Sequence, residues 1–99
     1  MKLLNLEGKE VDKIDFGIVD VGTTKKVSYT IKNDEGTYID NIKVELDDIV
    51  EKKEISIADY QTSLGKDGTA NLTIAWTPTL EVKRKLELSF KIKYRRVWG

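Results

Sequence analysis

The sequence predicts an all-β fold, a single seven-stranded antiparallel β-sandwich, on three observations. Residues 85–94 alternate, with Leu86, Leu88, Phe90, Ile92 and Tyr94 on one parity and Lys85, Glu87, Ser89, Lys91 and Lys93 on the other. A strand sends successive side chains to opposite faces, so this pattern makes one dry face and one wet face; a helix would scatter the same residues around its axis. Seven short extended segments separated by turn residues follow one another, and none carries the helical period. The single proline, Pro78, stands just past one such segment, where a missing ladder donor does no harm.

In chain order, Leu3, Leu4 and Leu6 come first and read either as an extra edge strand or as an arm that docks on a neighbour. Residues 11–16 alternate and lead into a piece bracketed by Gly17 and Gly22, as expected where an edge strand kinks and crosses between sheets. Residues 24–33 place Val27, Tyr29 and Ile31 opposite Ser28, Thr30 and Lys32. A turn at 33–36 follows, with Asn33 and Gly36 supplying the tolerated backbone angles. Residues 38–46 form the next strand, with Ile42, Val44 and Leu46 inside, ended by Asp47 and Asp48.

Residues 49–53 fit a loop or one helical turn, and 54–58 a short strand. Gly65 and Gly68 permit a tight reversal before residues 69–77, which set Leu72, Ile74 and Trp76 against Asn71, Thr73, Ala75 and Thr77. Residues 79–83 make the turn into the long strand. Arg96 then falls on the core parity, which predicts that the strand leaves the sandwich there. The expected division is an N-terminal arm or edge strand over 1–10, the sandwich over 11–94 and a tail over 95–99.

Ninety-nine residues suit one core, and the 39% hydrophobic fraction suffices to fill it. There is no cysteine, hence no disulfide, which is compatible with a reducing compartment. No apolar run approaches the roughly 18 residues of a membrane span, and the first residues lack the apolar region of a signal peptide. The formal net charge is zero, yet residues 1–50 hold 7 Lys against 11 acids and residues 51–99 hold 10 Lys+Arg against 6. Two readings stand: strands from the two halves interleave and mix these charges, or a basic edge meets an acidic neighbour.

The chemistry of an enzyme is missing. With neither histidine nor cysteine, the chain lacks the commonest general base near neutral pH and the thiolate nucleophile. Gly65-Lys66 has the Gly-Lys pair of a phosphate loop, but Tyr60 stands where the first glycine belongs and Asp67 replaces the hydroxyl residue. The acid pairs Asp34-Glu35, Asp47-Asp48 and Asp12 with Asp15 sit at turns without the spacing of a calcium loop. No cofactor, metal or nucleic acid is therefore expected. The basic residues near the C-terminus read as a solvated strand face that guards an edge.

Two groups rise above that background as partner contacts. One is Arg95, Arg96, Val97 and Trp98, of the residue types that most often dominate contact energies. Trp98 could equally fold back to plug one end of the core. The other is Leu3, Leu4 and Leu6.

Residues Ile14-Asp15-Phe16-Gly17-Ile18-Val19-Asp20-Val21-Gly22-Thr23, followed by the strand ending Ile31-Lys32-Asn33, resemble the opening of immunoglobulin-like domains of the ASH (Hydin-type) and major-sperm-protein-like group. Leu64-Gly65-Lys66-Asp67-Gly68-Thr69-Ala70, before Leu72-Thr73-Ile74-Ala75-Trp76-Thr77-Pro78, resembles their later half. The resemblance spans about 11–94 and implies an immunoglobulin-like sandwich without a disulfide, used as an adhesive module. It suggests a structural or interaction subunit of a larger assembly, with protein partners or copies of itself, in a setting such as a phage decoration or virion protein, located in a virion or the cytoplasm. The alternative is a module that binds a peptide by strand addition at an open sheet edge.

Overall fold

Side chains that are apolar at every second position must be covered on that face, and here two antiparallel sheets cover each other. The computed structural model of the chain describes residues 1–47, 53–79 and 84–98. Among them are strands β1 (Lys2–Leu4), β2 (Lys13–Val19), β3 (Lys25–Lys32), β4 (Tyr38–Leu46), β5 (Ile55–Ile57), β6 (Thr69–Trp76) and β7 (Arg84–Val97). One sheet has the order β1-β3-β6-β5 and the other β2-β7-β4. Between them lie Ile14, Phe16, Ile31, Ile39, Leu72, Ile74, Trp76 and Leu88, all nearly or fully buried. The Trp76 and Phe16 rings meet at 5.6 Å and a tilt of 55°.

Two bulges let both parities of a strand reach this core. In β2 the register slips between Asp15 and Gly17, and Gly17 has φ 67°, a conformation that suits glycine. Ile14 before the slip, Phe16 within it and Val19 after it are therefore all buried. In β4 the slip lies between Asp40 and Lys43, with Asn41 at φ 52°, so Ile39 joins Ile42 and Val44 inside.

The N-terminal edge is one line of chain shared between two sheets. β1 pairs with the end of β3, Lys2↔Lys32 to Leu4↔Thr30, and the chain then crosses over to pair as β2 with the first half of β7. The crossing thus happens at residues 5–12, ahead of the glycine-bracketed piece where the sequence places it. The extra-edge-strand reading of Leu3 and Leu4 matches β1, whereas Leu6 lies on the turn beyond it.

Three further expectations change. β7 does not leave the sheet at Arg96; it pairs with β4 up to Tyr38↔Val97. Asn33 has no left-handed backbone and acts instead through a wholly buried side chain. In the 65–68 reversal the left-handed residue is Asp67, at φ 59°. Room is tight at Gly68, where a Cβ would stand 3.0 Å from the Gly65 carbonyl oxygen. The readings of Asp48, of 49–52 and of the turn at 80–83 fall outside the described residues.

Most sheet flanks are closed. Ile39 and Leu64 exchange N–H···O bonds of 3.0 Å each, and Ile42 N–H donates to the Thr62 carbonyl at 3.0 Å. Val44 N–H donates to the Tyr60 hydroxyl at 2.9 Å, so residues 60–64 shield the outer flank of β4. The outward Asp15 N–H of β2 is held by the Tyr29 hydroxyl at 3.0 Å.

Candidate interaction surface

The charged residues of the acidic and basic halves meet across β4 and β7. Arg95 grips Asp40 with two parallel bonds, Nε to Oδ1 at 2.8 Å and Nη2 to Oδ2 at 2.6 Å. Lys93 lies 3.2 Å from Glu45. Each joins a base of the second half to an acid of the first, so the charges interleave as the first of the two readings expects. Such exposed pairs add little to stability, and their main effect is to hold side chains in place. The Arg95 guanidinium also draws the Asp40 carboxyl below its usual pKa.

At the same end Glu35 collects a network. Its Oε1 accepts the Tyr94 hydroxyl at 2.7 Å and Arg96 Nε and Nη2 at 3.0 and 2.5 Å. Its Oε2 takes the Met1 amine, which also pairs with Asp34 Oδ1 at 2.7 Å. Arg96 sits 5.3 Å from the Tyr94 ring centre. The core parity of Arg96 is thus tolerated because the inner face here is polar and Glu35 receives the guanidinium.

The amine, then Tyr94 and Arg96, hold Glu35 ionised and lower its pKa to about 2. The same carboxylate raises the Tyr94 phenol, because it accepts a hydrogen bond that only the protonated phenol can donate. A carboxyl whose folded pKa is depressed stabilises the fold fully above its ordinary value of 4.5, and that contribution fades as pH falls toward 2. The melting temperature should therefore fall more steeply between about pH 5 and 2 for the natural chain than for Glu35→Gln. Parallel thermal melts would check this, and identical slopes would contradict it.

The structure sorts the predicted contacts. Leu3 is 1% exposed, so its side chain belongs to the core and offers nothing to a partner; Leu4 is half-buried. Leu6 is 83% exposed, beyond the far end of β1 from the Glu35 network. Trp98 is 71% exposed and does not plug the core; Trp76 fills the interior. Val97 is half-buried, and its carbonyl accepts the Thr37 hydroxyl at 2.6 Å. Arg95 and Arg96 are exposed but engaged as described.

Sequence reading misses Tyr38. It lies directly across from Val97 and is 45% exposed, which sets two aromatic side chains, Tyr38 and Trp98, at one end of the second sheet. Running parity hides it: Tyr38 shares the parity of the buried Ile42 and Val44, and only the Asn41 bulge turns it outward. Among the described residues no three acids converge as a metal site would need.

The family model described as "Abnormal spindle-like microcephaly-assoc'd, ASPM-SPD-2-Hydin" (ASH) matches residues 2–91. The match begins within β1, so the leucines placed ahead of the family-like region lie inside it. Comparison with curated proteins and with solved structures returns no match. Two stacked antiparallel sheets, no cysteine and a family match over almost the full length agree: this chain belongs to the ASH family of immunoglobulin-like protein-interaction modules.

Proposed function

We propose that this domain is a non-enzymatic structural or interaction subunit of a larger assembly, held to its protein partner through the Tyr38, Val97 and Trp98 end of the second sheet. The observation that carries the reading is that Tyr38, on β4, and Trp98, just past the end of β7, are both exposed at one end of the second sheet. Aromatic side chains bury large area with few rotatable bonds to order, and the neighbouring arginines supply the charged partner groups common at contact centres. Arg95 and Arg96 flank it as secondary contacts, whereas Leu4 and Leu6 lie toward the other end of β1. The setting we favour is a repeated component of a particle, such as a phage decoration or virion protein, found in the virion or the cytoplasm; self-association would bring copies together on it.

Cross-linked capture from the native source tests this with the double variant Tyr38→Ser/Trp98→Ala. The natural chain should recover one partner at a fixed ratio with many copies, and the variant should recover little while melting at the same temperature. Capture by the variant at full strength sinks the assignment. Removing residues 95–99 would be a poorer test, because Arg95, Arg96 and Val97 are paired in β7.

A second reading, peptide binding by strand addition, is favoured by the split N-terminal edge. β1 ends opposite Thr30, and β2 begins opposite Ser89, so parts of β3 and β7 lack a neighbour on that flank among the described residues.

A further inference from the structure

The uncovered flank of β3 has the makings of a specific slot. Val11 N–H donates to the Leu3 carbonyl, so Leu3 faces away from β3 and Lys2 and Leu4 face it. Backbone groups alternate along a strand, so Thr30 and Lys32 are the β3 residues that meet β1, and Ser28 and Lys26 present their N–H and C=O to the same flank beyond its end. The flank is lined by a groove of about 420 Å³ whose walls include Leu6, Lys25, Lys26, Val27 and Ser28. Leu6 stands exposed at its rim, and Val27 is only half-buried. Neither Lys25 nor Lys26 forms an ion pair with a described residue, and the nearby Glu7 is turned toward Lys9 at 3.9 Å.

We infer that this flank of β3 receives an extended acidic segment of another protein, added as a strand antiparallel to β3 in the line that β1 vacates. The inference rests on the strand-addition reading and names its edge and its ligand. An antiparallel segment continuing from the Leu4↔Thr30 register sets an apolar residue against Val27 and Leu6, followed by two carboxylates against Lys26 and Lys25. Backbone bonds to Ser28 and Lys26 give affinity, and the two lysines select acid over base.

The probe is the capped pentapeptide Val-Thr-Val-Glu-Glu, which spans the positions opposite Tyr29 to Lys25, with a twin ending in two lysines. Added to the full chain, the glutamate peptide should slow amide exchange at Lys26 and Ser28, and the lysine twin should bind about tenfold more weakly. The variant Lys25→Glu/Lys26→Glu, altered only at exposed side chains, should reverse that preference while melting as the natural chain does. Protection appearing at Ile92 and Tyr94 instead would keep strand addition but overturn the β3 slot. No binding of either peptide at millimolar concentration would overturn both.

Discussion

Trp76→Ala should lower the unfolding free energy by about 3–5 kcal/mol, measured by urea denaturation. The side chain is 0% exposed, lies against Phe16, and its indole N–H reaches Glu54 at 3.4 Å. Truncation leaves a cavity between two sheets whose pairing limits how far they can close on it. A domain of this size has about 5–15 kcal/mol in hand, so the variant should sit at or near the edge of folding. Trp76→Phe keeps most of the volume and loses the long indole bond, so it should fall between the two. A loss of less than about 1 kcal/mol for Trp76→Ala would mean that the core is not organised around this residue.

Asn33→Leu should cost about 3 kcal/mol, although it exchanges a polar side chain for an apolar one of similar size. The Asn33 amide donates to the Thr37 and Gly65 carbonyls at 2.8 Å each, with the Leu64 carbonyl at 3.2 Å sharing a proton, and its Oδ1 accepts the Glu35 N–H at 3.0 Å. Leucine would leave the Thr37 carbonyl and the Glu35 N–H without these bonds in a site closed to water, while the Leu64 and Gly65 carbonyls would keep only the Ile39 and Gly68 N–H groups. Asn33→Asp should be worse at neutral pH, since a carboxylate would face three carbonyl oxygens, and should recover partly as the acid protonates. Denaturation midpoints of both variants at neutral and acid pH would check the order. The functional consequence is local: Asn33 positions the turn that carries Glu35, and with it Arg96 and the end of β7.

The period of two was enough to read β3, β4, β6 and β7, because each keeps one parity apolar over most of its length. It overstated the last strand. Leu86 and Leu88 are buried, but Phe90, Ile92 and Tyr94 are only half-buried against the core. What alternation could not show is where it resets. The bulges at Gly17 and Asn41 bring Val19 and Ile39 inside against the running parity, and a single residue in left-handed backbone carries little signal in one sequence.

Asn33 was legible as a turn residue but not as a buried bridge, because its carbonyl partners come from residues 31 and 32 positions away as well as from its own turn. Tyr38 was hidden for the same reason as Ile39. The candidate surface was half legible: Trp98 and the arginines stood out by type, whereas the β3 flank depends on how many residues β1 pairs, which no local pattern specifies.

The account turns on the divided edge, with β1 covering only the end of β3 and β2 only the start of β7. Site-resolved amide hydrogen exchange on the free protein reads that division directly. Lys26 and Ser28 in β3, and Ile92 and Tyr94 in β7, should exchange quickly, while Val27, Tyr29, Lys91 and Lys93, which face β6 or β4, should be slow. Equal protection of both sets would mean that the flanks are already occupied, and would contradict the account.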